Sequence, residues 1–191
     1  DDSLMEITHV IRGNEYISST PKYLKIYEAF GFPVPVFIHL PVIKKDKESD
    51  KKLSKRDNDA TVESLQQHGY LNAAIINMLA LTGWSSEDNT EIFSLDELVK
   101  VFDPKRIGKS NAVFDHEKLN WLNNHYIRQL SSEQLYDFLI PFVTKEYNIK
   151  DVDKTWLTEV FSLYQEQLKY ATEINDLIEV FFKEISLNED A

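Results

Sequence analysis

Cysteine is absent from all 191 residues. That excludes disulfides and thiolate metal sites, and it fits a reducing compartment such as the cytoplasm. Long hydrophobic runs are missing as well. None reaches the ~20 residues that a membrane-spanning helix needs, so no membrane role is expected. The opening Asp1-Asp2-Ser3 has neither the Met nor the basic stretch of a signal peptide, and suggests a piece of a longer chain. Basic charge is in short supply: 21 Lys and Arg face 32 Asp and Glu, a net −11. For the chain as a whole that balance speaks against nucleic-acid binding, which needs cations for phosphates. What is present is a globular composition, 42% hydrophobic and 12% aromatic, long enough for one large domain or two small ones.

The charge is unevenly placed. From Lys44 to Arg56 seven basic residues stand against three acidic ones, whereas Ser131 to Ala191 holds five Lys, no Arg and thirteen acids. Salt screens charges beyond about 8–10 Å, so an acidic protein can still present a basic strip. Within that strip lies Lys52-Leu53-Ser54-Lys55-Arg56, three cations and a hydroxyl on a short polar loop. Such a group suits a polyphosphate, although alone it reads more readily as a solvated lysine loop.

Hydrophobic periodicity divides the chain. Ile7, Val10 and Ile11 predict a buried strand ending at Arg12-Gly13. Ser18-Ser19-Thr20-Pro21 starts a helix through Tyr23, Leu24, Tyr27 and Phe30 that Gly31 closes. A second strand follows at Val36–Leu40, giving α/β order before the basic loop. Beyond it the pattern is helical: 62–68, 71–81, 95–102 with Ser94 and Glu97 as a capping box, and a long helix capped by Asp115. Helices over 131–147, 154–170 and 171–186 complete the chain, which is acidic and glycine-free after about Leu130, where a domain boundary is expected.

Arg12 and Glu15 stand three apart where the first strand feeds a capped helix. Ligands of open α/β sheets bind beyond the carboxyl ends of strands, and the planar fork of Arg suits a carboxylate. Read together, HVIRGNEYISSTPKYLKIYEAFG (9–31), HLP (39–41), KLSKR (52–56), LALTGW (79–84) and FDHEKLNWLNNHYIRQL (114–130) resemble bacterial glutamyl-tRNA synthetases, class I aminoacyl-tRNA synthetases. The match runs over residues 1 to about 130 in order and spacing; beyond it mainly the helical pattern agrees.

The resemblance implies an α/β segment followed by a mainly α one. Residues 1–60 correspond to the end of the nucleotide-binding (Rossmann-type) catalytic domain, 61–130 to a helical stem-contact domain, and 131–191 to the start of an α-helical anticodon-binding domain. Arg12 would contact the substrate glutamate. Glu15, Tyr16 and Ile43 would hold ATP with Lys52, Ser54, Lys55 and Arg56, Lys55 and Lys52 being catalytic through charge neutralisation of the leaving pyrophosphate. Lys105, Arg106, Lys109, Lys118, Asn123 and Arg128 would face tRNA. Phe114, Leu119, Trp121 and Ile127, spaced as one helix face, are expected in the core. Trp84 is expected to pack, and His39 to be a core or near-site residue rather than a metal ligand. No metal site of the protein's own is expected, magnesium arriving with ATP.

The family's other hallmark, the HIGH motif, does not occur in these residues: no histidine begins a His-x-Gly-His. The implied activity is glutamate–tRNA ligase, of which these residues hold part, in a monomeric protein. Two alternatives stand beside it: a glutamyl-queuosine synthetase-like paralogue, which has no anticodon domain, and a non-catalytic tRNA-binding module.

Overall fold

The computed structural model describes residues 1–44, 53 and 61–182. They divide into two compact units, each discontinuous in sequence. The first comprises Asp1–Leu53, Ala80–Glu91 and Val101–Phe114; the second comprises Ser54–Leu79, Ile92–Lys100 and Asp115–Ala191.

In the first unit, strand β1 (His9–Gly13) and strand β2 (Val36–Leu40) pair in parallel around helix α1 (Thr20–Phe30). The register sets Arg12 opposite His39 and Gly13 opposite Leu40, so both strands end side by side. Helix α1 stops where predicted: Gly31 adopts φ 65°, and the amides of Gly31 and Phe32 donate to the carbonyls of Glu28 and Tyr27. Its start differs from the sequence expectation. Ser19 is helical rather than extended and caps nothing, its hydroxyl donating back to the Tyr16 carbonyl instead. The cause is the 3-10 turn Asn14–Tyr16, which already delivers the chain in helical conformation and leaves the hydroxyls free for other partners.

Strand β1 is not buried as expected. Ile11, on the face opposite Arg12, is 58% exposed, and Phe30 of α1 is 68% exposed; among the described residues this sheet has two strands. A second parallel pair, invisible in the sequence, joins β3 (Ile43–Lys44) to β4 (Ala112–Val113). Leu53, the second residue of KLSKR, donates its amide to the Ile43 carbonyl at 2.8 Å. Trp84 packs as expected. It is buried, donates its indole N–H to the Asp103 carbonyl and lies against Phe102.

The second unit is helical: α2 (Val62–His68), α3 (Asn72–Leu81, whose last two residues belong to the first unit), α4 (Leu95–Val101, whose final residue does likewise), α5 (His116–Ile127), α6 (Ser132–Glu146), α7 (Lys154–Tyr164) and α8 (Glu173–Phe182). The capping box of Ser94 and Glu97 forms, a second links Ser131 and Gln134, and Asp115 accepts from the Lys118 amide. Leu135, Leu139 and Val143 of α6 meet Leu157 and Phe161 of α7 and Ile174 and Ile178 of α8 in one buried cluster. Helix α7 ends six residues before the predicted limit. The chain beyond it wraps back onto α5, where side-chain amides claim its carbonyls, and onto α2, where the Ala171 and Thr172 amides donate to Gly69 and His68. Of the four aromatic and aliphatic residues expected inward on or beside α5, Trp121 instead is 49% exposed. The inner stripe runs through Leu119, Leu122, Asn123 and Ile127, and Trp121 lies off it.

Candidate active site

At the carboxyl ends of β1 and β2, alternation sends Arg12 to the same face as Phe37 and His39, since residues opposite one another in the register share a face. Arg12 is half-buried there. Its guanidinium carbon lies 5.1 Å from the ring centre of Tyr16, 5.1 Å from that of Tyr23 and 5.0 Å from that of Phe37. Aromatic rings attract a cation and restrict its motion. In the guanidinium plane, Nη2 donates to the Thr20 hydroxyl at 2.8 Å and Nε points to His39 Nε2 at 3.5 Å. Thr20 Oγ1 in turn lies 2.8 Å from the Tyr16 carbonyl and 3.2 Å from His39 Nε2. A cation is thus fixed at the strand ends by an in-plane pair of polar atoms and by rings. Such a group can receive a carboxylate in a defined orientation.

Glu15 follows one turn later. Its carboxylate folds back against Gly13, where any Cβ would collide with it, so the glycine of Arg12-Gly13-Asn14-Glu15 gives that carboxylate its place. Tyr16 is exposed on one side and faces Arg12 on the other. Ile43 sits on β3, half-buried, with Leu53 returning beside it. Lys52, Ser54, Lys55 and Arg56 lie outside the described residues. Among the described residues no cluster of three or more His, Asp or Glu is arranged to hold a metal.

The residues expected to face RNA sort into distinct surroundings. In the first unit Lys105 and Lys109 are exposed. Arg106 is exposed too, but its guanidinium donates to the carbonyls of Ser85 at 2.9 Å and Ser86 at 2.8 Å. It clamps a turn in which the Asp88 carboxyl, bonded by the Thr90 hydroxyl and amide, is held down to about 2. In the second unit Lys118 is half-buried, and exposed Arg128 donates to the Glu166 carbonyl. Asn123 requires a correction: it is fully buried, accepting from the Leu71 amide at 2.8 Å and donating to the Lys169 carbonyl at 2.6 Å. Its polar atoms are engaged inside the fold and present nothing to RNA.

Sequence reading missed Thr20, Tyr23 and Phe37, and placed His39 near the site without a role. Local sequence makes Thr20 part of a helix start, Tyr23 one residue of that helix and Phe37 part of an apolar strand. The available signal was the parallel pairing of HVIRG with VFIHL, which sets Arg12 opposite His39.

Known proteins extend these observations. A family model described as tRNA synthetases class I (E and Q), catalytic domain, matches residues 1–121. The chain is 48% identical over 192 residues to a glutamate–tRNA ligase of Finegoldia magna, covering 100% of this chain and 39% of that protein. It is 46% identical over 187 residues to one of Clostridioides difficile, covering 95% of the chain and 37% of the relative. A solved glutamate tRNA ligase from Elizabethkingia meningosepticum, in complex with its amino acid, superposes with a TM-score of 0.85 at 32% identity, over 100% of this chain and 41% of that one. The glutamate-tRNA synthetase of Elizabethkingia anophelis gives 0.86 at 33% identity, with the same coverage. The chain therefore spans about two-fifths of the length of the relatives it matches. With the family model covering well over half its residues, and with a parallel strand pair that carries a fixed arginine at its carboxyl end, the chain belongs to the class I tRNA synthetases (E and Q).

Proposed function

We propose that this chain is the part of a glutamate–tRNA ligase that binds glutamate and ATP from one side and begins the tRNA-binding region. The observation that carries this reading is Arg12. It is a cation fixed at the ends of two parallel strands, with Nη1 unpartnered among the described residues and ready for a carboxylate. In the reaction, a carboxylate oxygen of glutamate attacks the α-phosphorus of ATP and the bond to pyrophosphate breaks, leaving glutamyl-adenylate. A terminal tRNA hydroxyl then attacks the acyl carbon and AMP departs. Arg12 binds and orients glutamate. Glu15, Tyr16 and Ile43 position the nucleotide. Lys52, Lys55 and Arg56 neutralise the triphosphate and the Ser54 hydroxyl hydrogen-bonds to it, Lys55 acting most as charge grows on the leaving group. Magnesium accompanies the ATP phosphates. The 131–191 segment, at least through α8, supplies the start of an anticodon-arm platform, which favours a ligase over the paralogue without that domain. Lys105 and Lys109, with Lys118 and Arg128, meet the tRNA backbone in a monomeric cytoplasmic protein.

The decisive assay is glutamate-dependent ATP–pyrophosphate exchange by the full-length protein with tRNA present. Lys55→Ala is expected to lower kcat by roughly 10²–10³-fold, the usual worth of one well-placed electrostatic donor, with little change in KM for glutamate. The 191-residue chain alone, holding no HIGH motif, should show no exchange. Exchange supported equally by other amino acids, or undiminished in Lys55→Ala, would refute the assignment.

A further inference from the structure

Arg12 offers two edges for pairing, and the structure has closed one of them. A guanidinium presents a side edge, made of Nε–H and the neighbouring Nη2–H, and an end edge, made of one hydrogen from each Nη. Thr20 Oγ1 takes Nη2 at 2.8 Å and His39 Nε2 faces Nε at 3.5 Å. These two acceptors lie 3.2 Å apart, side by side along that edge. Thr20 is itself held, its hydroxyl lying 2.8 Å from the Tyr16 carbonyl one helical turn back. Rings of Tyr16, Tyr23 and Phe37 flank the planar group.

Resting on the reading of Arg12 as the glutamate-binding cation, we propose that Thr20 and His39 are positioning residues. They occupy the side edge of Arg12 and thereby confine an incoming carboxylate to the end edge, Nη1 and Nη2. Without them the guanidinium can swing and offer either edge, and the carboxylate loses its single orientation. Thr20 contributes more than His39, because its contact is shorter and is anchored on the first turn of α1. This assigns the threonine of Ser19-Thr20-Pro21 to ligand geometry, where local sequence would make it a helix cap.

Two measurements test it. In the full-length protein, Thr20→Val keeps the shape and removes the hydroxyl. It should raise KM for glutamate roughly tenfold, the worth of one hydrogen bond to a charged group, while leaving KM for ATP unchanged, and Thr20→Ser should restore the wild-type value. A Thr20→Val enzyme with unaltered KM for glutamate, or with both KM values raised together, overturns the proposal. The second readout is independent of activity: the Arg12 Nε–H signal of the 15N-labelled 191-residue chain, assigned through its loss in Arg12→Lys. Slow solvent exchange in the parent chain and in Thr20→Ser, but fast exchange in Thr20→Val, supports the positioning role. Equal exchange in all three sinks it. Should exchange behave as expected while the full-length protein shows no glutamate dependence, the substrate assignment fails and the fixed side edge of Arg12 stands.

Discussion

Arg12 and Asn123 are both polar side chains held by hydrogen bonds on regular elements, yet their surroundings give them opposite work. Among the described residues Arg12 keeps its end edge open at the rim of a sheet, whereas Asn123 uses its oxygen and nitrogen on two backbone segments that arrive from elsewhere in the chain. The sequence marks Arg12 through the motifs that accompany it, since alone an arginine three residues from Glu15 reads as half of a surface ion pair. It does not mark Asn123. Its position in α5 shows which stripe it lies on, but nothing local says that the Leu71 amide and the Lys169 carbonyl come to meet it. Replacing Asn123 with Ala strands both of those backbone groups in a buried site. Each stranded group costs about 1–3 kcal/mol, so Asn123→Ala should destabilise the chain by roughly 3 kcal/mol. Arg128→Ala, which removes one exposed contact to the Glu166 carbonyl, should cost under about 1 kcal/mol. Urea unfolding followed by circular dichroism compares the two; equal midpoints would show that Asn123 is not the internal clamp described above.

Between elements, the legible features were those that local chemistry dictates. The ends of α2 at Gly69 and of α1 at Gly31, and the capping box at Ser94, fall where the residues predict. What escaped were features set by distant partners: the two-residue strands β3 and β4, paired across some 69 positions, and the early end of α7. Two glycines separate the local contribution from the tertiary one. Both adopt the left-handed conformation, φ 65° at Gly31 and φ 88° at Gly69. A Cβ at Gly31 would meet nothing within 4 Å, whereas one at Gly69 would run into the backbone and side chain of Ala171, where the link from α7 docks through the Gly69 carbonyl. Gly31→Ala therefore bears only the left-handed cost, about 1 kcal/mol. Gly69→Ala adds overpacking against a backbone that cannot step aside, for a total of roughly 3 kcal/mol. Unfolding free energies differing in the other order would show that the α7–α8 link is free to yield.

At the scale of the whole chain, burial is unequal. The second unit encloses a continuous cluster from Ile127 to Ile178 whose members are at most 4% exposed. In the first unit, Trp84 and Phe114 are buried, but Leu4 and Met5 are 85% and 70% exposed and the apolar side of α1 is open. Burial of apolar area is the main force holding elements together, at about 25 cal/mol per Å², so the two units should differ in resistance to opening. Local opening is drawn from regions with few buried apolar contacts. Native-state hydrogen exchange of the 191-residue chain should therefore show the amides of Leu139, Val143 and Phe161 exchanging slowest. Those of β1, β2 and α1 should exchange at least ~100-fold faster, equivalent to roughly 3 kcal/mol less protection. The hydrogen bonds around Arg12 would then be made on the less stable unit, where binding of a carboxylate ligand can add stability that burial does not. Adding saturating glutamate to the full-length protein should slow exchange at Arg12 and in the first turn of α1 while leaving the α6–α8 amides unchanged. Uniform protection across both units, with or without ligand, would mean that the chain opens as one cooperative body and that the exposed face of α1 costs it nothing.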